Sequence, residues 1–241
     1  MKVRMTVEPE NLERFIEKVM VKYHFSVEGK EDLMAVYETM KRYMTPYAIY
    51  RINDRMRGNA LIDSSQCALV AMTLGEGLDR LLRYYEQEHA IEESYMAECL
   101  SNELLLQMYA EFNRCYPRFH RRFVNRYVFI GEEIPLTSIP DLLNELYGRS
   151  KTDEKKDGDI FANEYGVILP SKSVVFFAIL SNNPNQVCQG ICLNCGNSAC
   201  ENRMQDSKQI VSIGQNSQTQ DETAATGVNL TYGYQRIFGK Q

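Results

Sequence analysis

Apolar residues repeat at helical spacing through the first half of the chain. From Leu12 to Val19 they recur at intervals of three and four, which predicts a helix that begins near Pro9 and runs to about Tyr23. The same spacing predicts further helices over about 30–43, 76–85 and 89–112. Ser138 is a predicted N-cap, and Pro140 fits the first turn of a last helix whose buried side consists of leucines.

Three segments have the composition of β-strands. Residues 47–52 are aromatic and β-branched, and residues 67–74 and 173–180 are near-continuous apolar runs. Between Cys115 and Pro135 aromatic and basic residues mix, and we predict irregular structure there. Because helices come early and do not alternate strictly with strands, the pattern predicts an α+β fold with a twisted antiparallel or mixed sheet flanked by helices.

The composition of the 241 residues narrows the function classes. Hydrophobic residues make up 44%, enough for a sizeable core, and the net charge of −5 argues against a nucleic-acid binder that relies on positive charge. The basic run from Arg118 to Arg126 is interpreted as a solvated face, with an anion or carboxylate site as the alternative. No apolar run approaches the roughly 18 residues of a membrane span, and no signal peptide opens the chain. We therefore expect a cytoplasmic protein that does not bind membranes.

The composition changes after Arg203. Residues 206–227 are rich in Gln, Ser, Thr and Asp and poor in aliphatic residues, which is typical of a disordered linker. We expect one α+β domain over residues 1–203, with a helical N-terminal part over about 1–45, and a disordered polar tail over 204–241.

Four cysteines stand close together before that change. They are Cys188, Cys192, Cys195 and Cys200, in the spacing C-x3-C-x2-C-x4-C, out of seven cysteines in the chain. Cytoplasmic thiols stay reduced, so this density favours a bound metal or cluster over structural disulfides. A zinc ion, an iron–sulfur cluster and four free thiols all stay open as interpretations.

Two other segments carry a more specific pattern. One reads Cys67-Ala-Leu-Val-Ala-Met-Thr-Leu-Gly75-Glu-Gly-Leu-Asp79, and the other reads Glu164-Tyr-Gly-Val-Ile-Leu-Pro170-Ser-Lys-Ser173-Val. The first resembles the strand that ends in Thr-Leu-Gly in the reactivation domain of vitamin B12-dependent methionine synthase. The second resembles the Pro-Ser-Lys-Ser-Val segment of the same family, in particular of its free-standing bacterial forms.

Three further stretches fit the same order along the chain. The long helix with Ala97-Glu98 and Glu103 matches the position of the family's Ala-Glu helix. Gly131-Glu-Glu-Ile-Pro135-Leu resembles a Gly-Asp-x-Pro-Leu stretch, and the cysteine-rich end before Arg203 resembles a cysteine-rich ending of many free-standing forms. The resemblance covers about residues 1–203.

The resemblance implies a protein that binds S-adenosylmethionine and supports the reductive methylation of cob(II)alamin in methionine biosynthesis. The cobalamin would be held by a partner, either a corrinoid-binding methionine synthase or a related methyltransferase subunit, with a flavodoxin- or ferredoxin-type reductant. No residue of this chain is then expected to act as an acid or base. The implied S-adenosylmethionine-binding residues are Glu98 and then Glu103 as the carboxylate that faces the sulfonium, Arg126 as the clamp on the ligand's carboxylate, Gly131, Ser171 and Ser173.

The chain departs from the family at two places. The family's Arg-x-x-x-Gly-Tyr is here Arg126-Tyr-Val-Phe-Ile-Gly131, and the tyrosine pair expected after the last strand is replaced by Asn185, Gln186 and Val187. These departures motivate an alternative function: a non-catalytic corrinoid-partner or metal-binding module of the same fold, whose cysteines hold zinc or an iron–sulfur cluster.

Overall fold

A five-stranded antiparallel sheet organises the computed structural model, which describes residues 1–53, 67–131, 134–150, 153, 156–185 and 188. The strands are β1 (Lys2–Arg4), β2 (Tyr47–Asn53), β3 (Cys67–Thr73), β4 (Phe123–Phe129), β5 (Phe161–Ala162), β6 (Ile168–Leu169) and β7 (Ser173–Ser181). The helices are α1 (Leu12–Tyr23), α2 (Lys30–Tyr43), α3 (Glu76–Gln87), α4 (Ile91–His120) and α5 (Ile139–Tyr147). The main sheet has the order β1-β2-β3-β7-β4, and β5 pairs with β6 separately.

The predicted α+β class with an antiparallel sheet is confirmed. All seven residues of β3 are buried, as expected for a central strand with an apolar run. β3 pairs with β2 on one side and with β7 on the other, and Thr73 lies opposite Ser173 in that register. The last residue of β3 and the first residue of β7 therefore meet at one end of the sheet.

The two faces of the sheet carry different layers. One face packs against α1–α4 in a large core that includes Val70, Leu100 and Phe176. The other face packs against α5 and the β5-β6 segment in a smaller core that includes Leu69 and Phe177. Neighbouring strand residues thus enter different cores, because side chains of a strand alternate between the two faces.

The predicted helices exist, with shifted ends. α1 begins at Leu12 and not at Pro9, because the Asn11 side chain accepts a hydrogen bond from the Arg14 N–H at 2.9 Å and caps the helix there. α4 continues to His120, well past the predicted end at Phe112. Its added turns are held by aromatic packing, with the Tyr116 ring 5.3 Å from the Phe112 ring.

The prediction of irregular structure between Cys115 and Pro135 was wrong. The segment contains the end of α4 and the edge strand β4, which pairs with β7. A β-bulge between Val124 and Arg126 breaks the strict alternation of apolar and polar residues, and this hid the strand from the sequence pattern.

Smaller elements complete the described part of the chain. β1 was not predicted, and it places the first residues of the chain at an edge of the sheet. Ser138 precedes α5 as predicted, but its hydroxyl donates to the Pro135 carbonyl at 2.6 Å and does not cap the helix. In the described ranges, no helix is both long and apolar enough to cross a membrane. The predicted tail over 204–241 lies outside the described residues.

Candidate functional site

The two segments that carry the family resemblance are joined by hydrogen bonds. The Ser173 hydroxyl donates to the Thr73 hydroxyl at 2.8 Å, and the Thr73 oxygen also accepts the Gly75 N–H at 3.0 Å. The Leu74 N–H donates to the Lys172 carbonyl at 3.0 Å. Thr73 and Ser173 are both buried, so these bonds satisfy polar groups that water does not reach. Ser173 thus fixes the end of the sheet.

The glycines after β3 allow close packing against the end of α2. Gly75 has a φ of +99°, and a Cβ there would lie 2.3 Å from the Thr45 hydroxyl oxygen. A Cβ on Gly77 would lie 2.0 Å from the Tyr43 carbonyl oxygen. Both distances exclude a side chain, so packing by itself requires glycine at positions 75 and 77.

Ser171 ties the segment before β7 to helix α3. Its N–H donates to Asp79 Oδ2 at 2.9 Å, and its hydroxyl donates to Asp79 Oδ1 at 2.6 Å. Both residues are accessible, and Asp79 lies in the first turn of α3, where a carboxylate is also stabilised by the helix dipole. Ser171 is therefore at the surface of the site, whereas Ser173 is in its interior.

Glu98 and Lys172 form the accessible ion pair of the site. The Lys172 ammonium donates to Glu98 Oε2 and, at 3.0 Å, to the Asn102 side-chain oxygen. The lysine side chain is 12% exposed and that of Glu98 is 44% exposed. The pair thus offers one carboxylate to solvent beside a cation that is nearly enclosed. Next to it, burial raises the pKa of the Cys99 thiol, which keeps that residue a neutral part of the core.

Glu103 faces a different neighbour from Glu98. Five residues along a helix correspond to a rotation of about 140° beyond one full turn. Glu103 is 2% exposed, and its carboxylate pairs with Lys22 and, at 3.2 Å, with Lys18 of α1. The Tyr23 hydroxyl donates to it at 3.3 Å, and burial followed by the charge of Glu103 raises the pKa of Tyr23. The structure therefore holds Glu103 in contacts between α1 and α4 and does not bring it to the Ser171 surface.

Arg126 lies on the other face of the sheet from Glu98. In the register of β4 it stands opposite Ile179, a residue of the smaller core, while the next residue, Tyr127, belongs to the larger core beneath α4. Gly131 lies in the turn after β4, exposed, with its N–H donating to the Ile134 carbonyl at 2.8 Å. Lys172 thus connects Glu98 to the segment of Ser171 and Ser173, whereas Arg126 lies opposite Ile179, six residues farther along β7. The turn with Gly131 follows Phe129, which pairs with Phe176, so Gly131 lies towards the end of the sheet where β7 begins.

One of the four clustered cysteines lies among the described residues. Cys188 is 9% exposed and belongs to the larger core. Burial, followed by the neighbouring Cys188, raises the pKa of the Tyr127 hydroxyl well above its ordinary value. In the described ranges no three His, Cys, Asp or Glu side chains are placed to hold a metal ion. Cys192, Cys195 and Cys200 lie outside those ranges, so metal binding by the cysteines stays a prediction.

Sequence reasoning missed several residues that the structure brings together. Asp79 and Lys172 lie in the two segments that resemble the reactivation family, but the sequence assigned them no part in the site. Asn102 lies in no recognised motif. A cleft of about 490 Å³ beside α5 was missed altogether. Its charged residues come from three distant stretches of the chain, near residues 2, 149 and 159, and no local pattern connects them.

The whole chain has few recognisable relatives among known proteins. No family model matches it, and no curated protein matches it. Among solved structures, the MetH reactivation domain bound to AdoHcy is similar, with 11% identity over 79% of this chain and 80% of that chain and a TM-score of 0.48. At this identity and TM-score, the likeness leaves the family of the chain open.

Proposed function

We propose that the protein is a stand-alone cobalamin-reactivation protein that binds S-adenosylmethionine and docks on a corrinoid-dependent methionine synthase or a related methyltransferase. The observation that carries this proposal is the set of contacts around Glu98 and Lys172. The two segments whose sequences resemble the reactivation family meet there, and an accessible carboxylate stands at their junction.

The chemistry of the ligand fits Glu98. S-adenosylmethionine carries a positive sulfonium, and a carboxylate beside it stabilises that charge. One oxygen of Glu98 accepts from Lys172, and a carboxylate has about four acceptor positions, so the same group is able to contact the ligand as well. In this proposal the methyl group would pass from the sulfonium to a reduced corrinoid on the partner: the S–C bond would break as a bond from the methyl carbon to the corrinoid forms, and S-adenosylhomocysteine would be left. The electron that reduces the corrinoid would come from a flavodoxin- or ferredoxin-type reductant. This chain binds and orients the methyl donor and supplies no acid or base.

The grip on the ligand's α-carboxylate is assigned to Lys172 first. Its ammonium is the cation that lies beside Glu98, whereas Arg126 stands on the opposite face of the sheet. A lysine next to Glu98 offers a cation for the ligand's α-carboxylate beside the carboxylate that is proposed to face the sulfonium. Arg126 keeps its proposed role only if the ligand reaches round the β4 edge of the sheet, whereas Gly131 follows Phe129, which pairs with Phe176 near the start of β7.

Calorimetric titration with S-adenosylmethionine tests the proposal. We expect Glu98→Gln to weaken binding about ten-fold or more, because a charge-assisted contact to the ligand cation is lost. Glu93→Gln is the matched control, since Glu93 is an exposed glutamate of the same helix, and it should bind like the parent protein. The absence of binding, with or without a corrinoid protein, would refute the proposal, and so would equal affinity of the Glu98 variant.

Two further variants decide which cation holds the carboxylate. If Lys172 does, Lys172→Gln weakens S-adenosylmethionine binding and Arg126→Gln does not. The opposite result would restore Arg126 as the clamp and would place the ligand at the β4 edge.

A second candidate is a non-catalytic corrinoid-partner or metal-binding module. The separation of Arg126 from Glu98 favours it, because the resemblance expects both in one ligand site. Metal analysis and an anaerobic absorption spectrum test this candidate. Stoichiometric zinc or iron in a protein that does not bind S-adenosylmethionine would support it, and a colourless, metal-free protein would contradict the metal-binding version.

A further inference from the structure

A cleft on the α5 side of the sheet has the features of a separate binding site. Its volume is about 490 Å³, within the range of small-molecule pockets. Ile49, Leu146 and Tyr147 supply its apolar surface, and Lys2, Arg149 and Asp159 supply its charged surface. It lies on the face of the sheet opposite to Glu98, so it is distinct from the site proposed for S-adenosylmethionine.

Paired tyrosines fix the wall of this cleft. The hydroxyls of Tyr47 and Tyr147 lie 3.1 Å apart, and both accept the Ile160 N–H, at 3.1 Å and 2.9 Å. Tyr47 also donates to the Gly158 carbonyl at 2.8 Å. These bonds hold the backbone on both sides of Asp159, so the carboxylate next to the cleft has a fixed position.

The cations of the cleft outnumber the carboxylate between them. Asp159 is 9% exposed and bonds to the guanidinium of Arg149, while the Lys2 ammonium lies 3.8 Å from Asp159, beyond hydrogen-bond length. Aromatic rings hold both cations: Lys2 lies 3.9 Å above the Tyr47 ring, and Arg149 lies 4.5 Å above the Tyr147 ring. Two positioned cations thus share one carboxylate, which leaves about one positive charge.

Among the described residues of the rim, Asp153 and Lys156 also line the cleft, and their charges cancel. A ligand that complements the cleft therefore has one negative charge and a small apolar part, which would contact Tyr147 and the exposed edges of Ile49 and Leu146, residues that are 5% and 7% exposed. We propose that this cleft binds a small organic carboxylate, with an apolar part about the size of one ring.

Titration with benzoate, followed by amide chemical shifts of the full-length protein, tests this proposal. We expect saturable shifts at Lys2, Ile49 and Leu146, with benzyl alcohol and benzylammonium giving weaker or no shifts there. Lys2→Gln should weaken benzoate binding about three- to five-fold, a modest change because this lysine is half exposed. Lys41→Gln is the matched control, since Lys41 is a similarly exposed lysine in a surface ion pair with Glu8, and it should leave the affinity unchanged.

Three results would overturn the proposal. They are no saturation with benzoate below about 10 mM, equal shifts with benzylammonium, and equal weakening by the Lys2 and Lys41 variants. None of these measurements depends on S-adenosylmethionine, so the carboxylate site in the cleft and the S-adenosylmethionine site at Glu98 are tested independently.

Discussion

The two faces of the main sheet treat their polar groups differently. On the face covered by α1–α4, the buried Glu103 carboxylate is bonded to Lys22 and Tyr23 of α1, and at one end of the sheet Thr73 and Ser173 are buried and bonded to each other. On the α5 face, Arg149 and Asp159 border an open cleft. The difference teaches that the motif residues of this chain first serve to hold helices and strand ends together. The charges that border the cleft on the other face belong to no motif.

The largest expected loss of stability comes from a substitution in the tightly packed helix-covered face. Gly77→Ala would place a Cβ 2.0 Å from the Tyr43 carbonyl, so the end of α2 must move, and we expect a loss of about 3 kcal/mol in the free energy of unfolding. Urea unfolding measures it. The control is Gly29→Ala, because a Cβ there meets no atom closer than 4.0 Å and its φ is −75°. Equal stability of the two variants would show that this face is looser than the distances indicate.

The buried Glu103 contacts are the next way to test the comparison. Glu103→Gln removes the charge that binds Lys18 and Lys22 and should lower the free energy of unfolding by about 2 kcal/mol. The reduction stays moderate because the Lys18 side chain is 54% exposed and regains water easily. Glu93→Gln, at an exposed position of the same helix, should change stability by less than about 0.5 kcal/mol. Similar losses in both would mean that the Glu103 contacts contribute nothing net.

On the α5 face a single hydroxyl gives a smaller effect. Tyr47→Phe removes the bond to the Gly158 carbonyl, and Ile160 keeps Tyr147 as its acceptor, so the expected loss is about 1 kcal/mol by urea unfolding. Tyr165→Phe is the control, since Tyr165 is 72% exposed. A loss as large as that of Gly77→Ala would erase the difference between the faces, because it would make the cleft wall as critical as the helix-covered core.

The sequence predicted the parts of the fold that depend on local pattern. The apolar run 67–74 and the spacing over 30–43 each correspond to an element of nearly the same bounds. β4 was not predicted because its bulge shifts the alternation of apolar and polar residues. The last turns of α4 were not predicted because they depend on aromatic contacts such as that between Tyr50 and Tyr116. Such contacts join residues far apart in the chain, and no window of the sequence contains them.

The candidate site was predictable to a similar degree. Glu98, Ser171 and Ser173 were all proposed from the family resemblance, and their role in binding a ligand stays a prediction. The partner of Glu98 is Lys172, 74 residues away, and only the fold brings the two together. Arg126 shows the converse, because its motif fixed its residue type but not the face of the sheet on which it lies.

The smallest expected effect is at the edge of the helix-covered face, where His120 contacts the Tyr50 hydroxyl at 2.9 Å. Burial, followed by the charges of Arg122 and the amino terminus, lowers the pKa of His120 below its ordinary 6.5. Above that pH the imidazole is neutral in both states, so its contribution to stability is complete. As the pH falls through 6.5, the unfolded chain takes up the proton before the folded chain does, and stability decreases until the folded pKa is passed.

Comparing His120→Gln with the parent protein isolates this contribution, because glutamine keeps a polar partner for Tyr50 but does not titrate. Between about pH 7.5 and about pH 5 the parent should lose only about 0.3 kcal/mol more free energy of unfolding than the variant, since solvent screens an imidazole that is only partly buried. Urea unfolding at both pH values measures the difference. A parent that loses less stability than the variant would reverse the sign of the pKa shift. A difference well above 1 kcal/mol would mean that the His120 contact, at the edge of the helix-covered face, depends on pH far more strongly than the contacts in the interior of that face.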